Sequence, residues 1–152
     1  MNSYTPEEPI EIVLIEDNPG DVRLTQEAFN SVESDVTFQV VTNGVEAGRY
    51  FSELDGSDPD DHPDLVLLDL NLPRSDGFDV LDILAEEIEY PPPPVLILSS
   101  SESKADIIKS YEKAANAYLT KPQSPTEFDS MAQAIESFWI DTAQHAPVEA
   151  CA

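Results

Sequence analysis

The residues able to do chemistry stand directly behind apolar runs. Glu16 and Asp17 follow Ile12–Ile15, Asp69 follows Leu65–Leu68, Ser99 and Ser100 follow Val95–Leu98, and Thr120 and Lys121 follow Ala117–Leu119. If those runs are neighbouring strands, three carboxylates, a hydroxyl and an ammonium converge on one sheet edge. Crowded carboxylates raise one another's pKa values unless a cation keeps them ionised. Mg²⁺ suits such a set, because it takes oxygen ligands, keeps several waters and combines one or two carboxylates with a phosphate oxygen. Lys121 adds a compact charge for one phosphoryl or carboxylate oxygen. Together these groups are equipped for phosphoryl transfer to an aspartate, where positioning and charge neutralisation do most of the work. Taken singly, each has an ordinary explanation, since acids behind strands cap helices and a lysine often sits on a surface. All five together, at the ends of neighbouring strands, point to this chemistry.

The elements that must position them are legible in outline. The three runs of four, Ile12–Ile15, Leu65–Leu68 and Val95–Leu98, lack alternation and read as strands buried on both faces, as in a parallel sheet covered by helices. Thr37–Val41 and Ala117–Leu119 are two weaker strands. Between them lie five helical segments. The first opens at Asn18-Pro19-Gly20-Asp21, with a capping Asn, a Pro suited to the first helical position and an acid suited to the helix N-terminus, and runs to about Val32. The second covers Val45 to Leu54, and the third follows Asp76-Gly77 until Pro91–Pro94 stop it. In the fourth, Ser103 to Ala114, the residues Ile107, Ile108 and Tyr111 share a side; in the fifth, Phe128, Met131, Ile135 and Phe138 stand at helical spacing. The βαβαβαβαβα order predicts right-handed crossovers and an α/β, doubly wound, five-stranded parallel sheet. In such sheets function collects at the carboxyl ends of the strands.

Composition narrows the function. The 152 residues make about one domain, too few for a second effector domain. The net charge of −24, from 31 acids against 7 Lys and Arg, argues against direct DNA binding, which needs cationic faces. The acids are spread over the whole chain, a surface suited to high salt, where self-repulsion is screened. A halophilic host is the expectation, with an acidic docking surface as the rival. No apolar run approaches the ~20 residues that span a bilayer, so the chain reads as non-membrane and cytoplasmic. Cys151, the single cysteine, can form neither an intramolecular disulfide nor a metal cluster. The acidic loop 52–63 lacks the spacing of a calcium-binding EF-hand, and the proline run reads as a stiff helix-to-strand connection. Trp139 reads as packing or interface, and His62 and His145 as solvated.

From about Ile10 to Ile140 the sequence resembles the response-regulator receiver family of two-component signalling. Four separated motifs carry the likeness: Leu14-Ile15-Glu16-Asp17-Asn18, Leu68-Asp69-Leu70-Asn71-Leu72-Pro73 with Asp76-Gly77, Leu98-Ser99-Ser100, and Tyr118-Leu119-Thr120-Lys121-Pro122. The resemblance implies a flavodoxin-like (βα)5 fold with strand order 2-1-3-4-5. It implies a phosphoacceptor at Asp69, and Mg²⁺ held by Asp17, by Asp69, by Glu16 largely through water, and by the backbone carbonyl of Asn71. Lys121 would bind the phosphoryl group, Ser99 would be the switch hydroxyl, Tyr118 the aromatic switch and Pro122 a cis-proline. Ser99 stands where Thr is commoner, so a looser switch is expected, and neighbouring Ser100 is the other hydroxyl in reach. Domain boundaries follow as an N-terminal extension over 1–9, the receiver over 10–141 and a polar tail over 142–152. The stretch Glu16 to Leu24 is similar to the small stand-alone receivers that serve phytochrome-like and other sensor kinases.

The implied partners are a sensor histidine kinase and a downstream protein that the sequence does not name, and a homodimer stays open as an assembly. The expected role is a signalling switch, not an enzyme beyond its own phosphorylation and dephosphorylation. Three other classes compete with it. A flavin binder on the same topology would need Gly, Ser or Thr donors in the first loop, where Glu16 and Asp17 would repel a phosphate. A phosphorylation-independent adaptor would not need the complete acid set. A multi-turnover hydrolase passing through an aspartyl phosphate needs a substrate pocket that no motif suggests.

Overall fold

In the computed structural model, residues 9–54, 63–70, 77–87, 93–100, 103–113 and 115–142 are described. Five strands, β1 (Ile10–Ile15), β2 (Val36–Val41), β3 (Leu65–Asp69), β4 (Val95–Ser99) and β5 (Ala117–Thr120), form one parallel sheet in the order β2-β1-β3-β4-β5. The helices α1 (Pro19–Asn30), α2 (Gly44–Leu54), α3 (Gly77–Glu87), α4 (Lys104–Glu112) and α5 (Pro125–Ile135) alternate with them, and a π-helical segment, Glu136–Thr142, continues α5. This is the doubly wound architecture and strand order expected. Asn71, Asp76, the acidic loop beyond Leu54, most of the proline run and the terminal extensions fall outside the described residues.

The three central strands are buried on both faces, as their unbroken apolar runs require. Successive strand side chains point to opposite faces, and the core divides accordingly. Ile12, Leu14, Leu65, Leu67, Leu96 and Leu98 pack with Phe29 of α1 and Phe128, Ala132 and Ile135 of α5. Val13, Ile15, Val66, Leu68, Val95 and Ile97 pack with Phe51 of α2 and Val80, Leu81 and Leu84 of α3.

Local signals set the helix starts. Asn18 caps α1, its Oδ1 accepting from the N–H groups of Gly20 (2.8 Å) and Asp21 (3.2 Å). A Cβ on Gly20 would lie 3.2 Å from that same oxygen, so glycine permits the close approach. Asn43 accepts from Glu46 N–H at 2.8 Å, Ser103 caps α4, and Ser124 with Pro125 at the first helical position opens α5.

Two apolar expectations fail on burial. In α4, Ile108 and Tyr111 are 59% and 51% exposed, so the side they share does not face the core. The helix instead buries Ser110, whose hydroxyl donates to the Asp106 carbonyl at 2.8 Å. In the fifth helix Phe138 is 56% exposed, while Trp139 packs against the core. The reason is helical register: the inward stripe of Phe128, Ala132 and Ile135 continues to position 139, whereas 138 stands roughly a quarter-turn to its side. The two rings remain in edge-to-face contact, with centroids 4.9 Å apart.

Candidate functional site

Strand parity aims the charged groups before any side chain is placed. Asp69 is in phase with Leu65 and Leu67, Lys121 continues the phase of Ala117 and Leu119, and Glu16 continues that of Ile12 and Leu14, all on the α1/α5 side of the sheet. These three residues therefore meet at the carboxyl ends of β3, β5 and β1. Asp69 and Glu16 are buried, at 5% and 2% exposure, whereas Asp17 is exposed.

Lys121 is the hub. Its Nζ lies 2.7 Å from Glu16 Oε1, 2.9 Å from Asp21 Oδ2 and 3.0 Å from Asp69 Oδ2. An ammonium has three N–H donors, and three carboxylates take them. The Lys121 backbone N–H donates to the Ser99 carbonyl at 2.9 Å, which fixes the root of the side chain against the end of β4. Glu16 is fixed in turn, its Oε2 accepting from Asn18 N–H at 3.2 Å and its own N–H donating to the Val41 carbonyl at 2.9 Å.

The electrostatics follow from burial and crowding. Burial, reinforced by the neighbouring Asp69 carboxylate and opposed by Lys121, pushes the Glu16 carboxyl up from 4.5 to about 7. Burial works against the charge on Lys121, but its bonds to Asp21, Glu16 and Asp69 outweigh that and raise it above the ordinary lysine value.

Three carboxylates thus surround one ammonium and a fourth, Asp17, lies beside two of them, an excess of negative charge that fits a divalent cation. One oxygen from each of Glu16, Asp17 and Asp69 lies within 4.8 Å of the others. Neighbouring ligands of an octahedral ion with ~2.1 Å bonds stand about 3 Å apart and opposite ones about 4.2 Å, so the three oxygens would draw closer together to hold one cation. These are the three side chains that would hold the metal, and the cation would supply charge neutralisation beside Asp69.

Of the other expected site residues, Ser99 is fully buried at the end of β4 and Ser100 is exposed, which distinguishes the two hydroxyls. Tyr118 is half-buried against the α2/α3 side of the core, and its backbone N–H donates to the Tyr111 hydroxyl at 3.1 Å. Pro122 is half-buried behind Lys121, in the wall of a groove of about 730 Å³ that runs along α5 past Met131, Ile135 and Trp139. Asn71 lies outside the described residues. The residue that sequence reasoning missed is Asp21, read there only as an acid at a helix N-terminus. Its signal was present: it stands four residues after Asp17 and three after the Asn18 cap, in the turn nearest the sheet edge.

The comparisons with known proteins agree with this geometry. Residues 12–133 match the family model described as the response regulator receiver domain. The response regulator Rcp1 of Synechocystis sp. is 36% identical over 134 residues, covering 88% of this chain and 91% of that protein. The crystal structure of the Mn(2+)-bound form of Rcp1 superposes with a TM-score of 0.74 at 37% identity, over 88% of this chain and 96% of that one. The phosphorylated cyanobacterial phytochrome response regulator RcpA gives a TM-score of 0.77 at 35% identity, over 89% and 96% of the two chains. With sheet order, strand-end acids and relatives all in agreement, the chain belongs to the response-regulator receiver family.

Proposed function

We propose that Asp69 is the phosphoacceptor and that a sensor histidine kinase is the donor. The observation that carries this reading is the buried Asp69 carboxylate at the end of the central strand β3, bonded to Lys121 and flanked by Glu16 and Asp17. A carboxylate oxygen of Asp69 forms a bond to phosphorus as the P–N bond of the kinase phosphohistidine breaks, and the released imidazole takes up a proton. Lys121 binds a phosphoryl oxygen, and Ser99 offers its hydroxyl to the same group. Mg²⁺ is the proposed physiological cation at Glu16, Asp17, Asp69 and the Asn71 carbonyl, supported by an all-oxygen ligand set. A bound phosphoryl adds charge that biases a two-state surface. That surface is the one around α4, β5 and α5, with Tyr118 as its aromatic switch, and it signals to a downstream protein or passes the phosphoryl on in a relay. The cis form of the Lys121–Pro122 bond and the boundaries 1–9, 10–141 and 142–152 belong to the same reading.

The test is phosphorylation by acetyl phosphate with Mg²⁺, read by intact-protein mass. Wild type gains one phosphoryl group and Asp69→Asn gains none; wild-type labelling of the variant overturns the assignment. Phosphotransfer profiling against sensor kinases then identifies the donor. The net charge of −24 further supports a cytoplasmic protein of a halophilic host. On that reading the unfolding midpoint rises with KCl into the molar range, and a midpoint indifferent to salt removes it.

A further inference from the structure

One acid bonded to Lys121 has no part in the phosphoryl chemistry set out above. Asp21 Oδ2 lies 2.9 Å from Lys121 Nζ, with the Asp21 side chain 26% exposed and the lysine 16%. We propose that Asp21 is a positioning residue: it anchors one N–H of Lys121 to α1, so that the other two donors swing from Glu16 and Asp69 toward the phosphoryl group. The proposal rests on the reading of Asp69 as phosphoacceptor.

The geometry separates Asp21 from its neighbours. Glu16 and Asp69 belong to the group whose oxygens lie within 4.8 Å of one another and Asp17; Asp21 does not. When oxygens of Glu16 and Asp69 turn to a cation or carry a phosphoryl group, Asp21 is the acceptor left to Lys121. It is also rigidly held. Its N–H donates to Asn18 Oδ1 at 3.2 Å and its carbonyl accepts from the Thr25 hydroxyl at 2.8 Å, with Thr25 buried. A lysine on a flexible four-carbon stem has no preferred direction of its own. Without the anchor, the ammonium settles between Glu16 and Asp69, closing the place where charge must be accepted and losing its aim.

The experiment compares Asp21→Ala with wild type in two backgrounds. Misplacing one group of such a site costs about tenfold or more in rate. Asp21→Ala is therefore expected to slow acetyl-phosphate labelling about tenfold, and Asp21→Asn, which keeps an acceptor oxygen, to recover most of the loss. In a Lys121→Ala background, Asp21→Ala should change the residual rate by less than about twofold, because its route of action is gone. A purely structural role would instead subtract equally in both backgrounds.

A second readout needs no phosphorylation. In the chelator-treated protein, NMR of the ¹⁵N-lysine side chains should show Lys121 ammonium protons exchanging with water faster in Asp21→Ala than in wild type. Labelling of Asp21→Ala at the wild-type rate, an equal loss in the Lys121→Ala background, or unchanged exchange would each overturn the anchor. Wild type that takes no label would instead defeat the phosphoacceptor reading, and the exchange measurement would still decide whether Asp21 holds the lysine.

Discussion

The α1/α5 layer and α4 are attached to the same sheet in opposite ways. On the α1/α5 side, Phe29, Phe128, Ala132 and Ile135 are buried against the strands, and α1 carries the cap and the acid that reach the charged site. On the other side, α4 buries little besides Ser110 and shows Ile108 and Tyr111 to solvent. Its ties to its surroundings are polar or cation–π. Lys109 lies over the Phe78 ring at 4.3 Å, the Tyr111 hydroxyl meets the Tyr118 N–H at 3.1 Å, and Lys113, just past the helix, pairs with Asp82 at 2.7 Å. Apolar burial is worth several kcal/mol per large side chain, whereas exposed polar contacts are worth about 1 kcal/mol or less. The first layer therefore holds the charged groups in place, and α4 is the more weakly attached element, as the proposed switching around it requires.

The contrast predicts unequal costs. Phe128→Ala should destabilise by about 3–5 kcal/mol, and Ile108→Ala by under about 0.5 kcal/mol, as read by urea midpoints. Comparable losses would end the distinction between the two sides.

The next effect belongs to the buried charge. Because the folded Glu16 titrates near 7 instead of 4.5, the folded protein holds a proton that the unfolded chain has lost between those values. Stability of the metal-free protein is thus greatest at the acid end of that window and falls as pH rises to about 7, then levels off. The raised Lys121 value adds nothing there, since its contribution is lost only at strongly alkaline pH. Relative to wild type, Glu16→Gln should gain on the order of 2 kcal/mol between pH 5 and pH 8. Divalent-cation affinity of wild type should rise over the same window as the competing proton leaves. A wild-type minus Glu16→Gln difference that does not vary with pH would remove the buried-proton account.

The smallest effect sharpens the picture of α4. Tyr111→Phe deletes the hydroxyl that accepts from β5, at a cost of about 1 kcal/mol or less, and speeds hydrogen exchange at the Tyr118 amide. If phosphorylation moves α4, the phosphorylated wild type should show faster exchange at the same amide. An amide equally protected in both forms would mean that the α4–β5 tie persists through phosphorylation.

Much of this was legible from residue order. The runs Ile12–Ile15, Leu65–Leu68 and Val95–Leu98 announce buried parallel strands because no solvated strand could afford them, and the acids behind them mark the functional edge. Asn18-Pro19 and Ser124-Pro125 mark helix starts through capping chemistry that is local by nature. Periodicity failed where a face had no fixed partner or a residue stood beside the buried stripe and not on it. Ile108 and Tyr111 look like core residues at helical spacing, but nothing local says whether a sheet lies beneath them. Phe138 stands roughly a quarter-turn off the stripe that Phe128, Ala132 and Ile135 continue to Trp139, and close by the Glu136 carboxylate accepts the Ser34 N–H at 2.7 Å from 102 residues away.

The sequence by itself determined the βα alternation, the strand-end chemistry and the family, since each depends on residue types at fixed spacing. The tertiary structure alone decided that Lys121 spends its three donors on Glu16, Asp21 and Asp69. A lysine's partners are set by which chain segments cross its reach, and here they come from β1, α1 and β3, brought together only when the sheet is assembled.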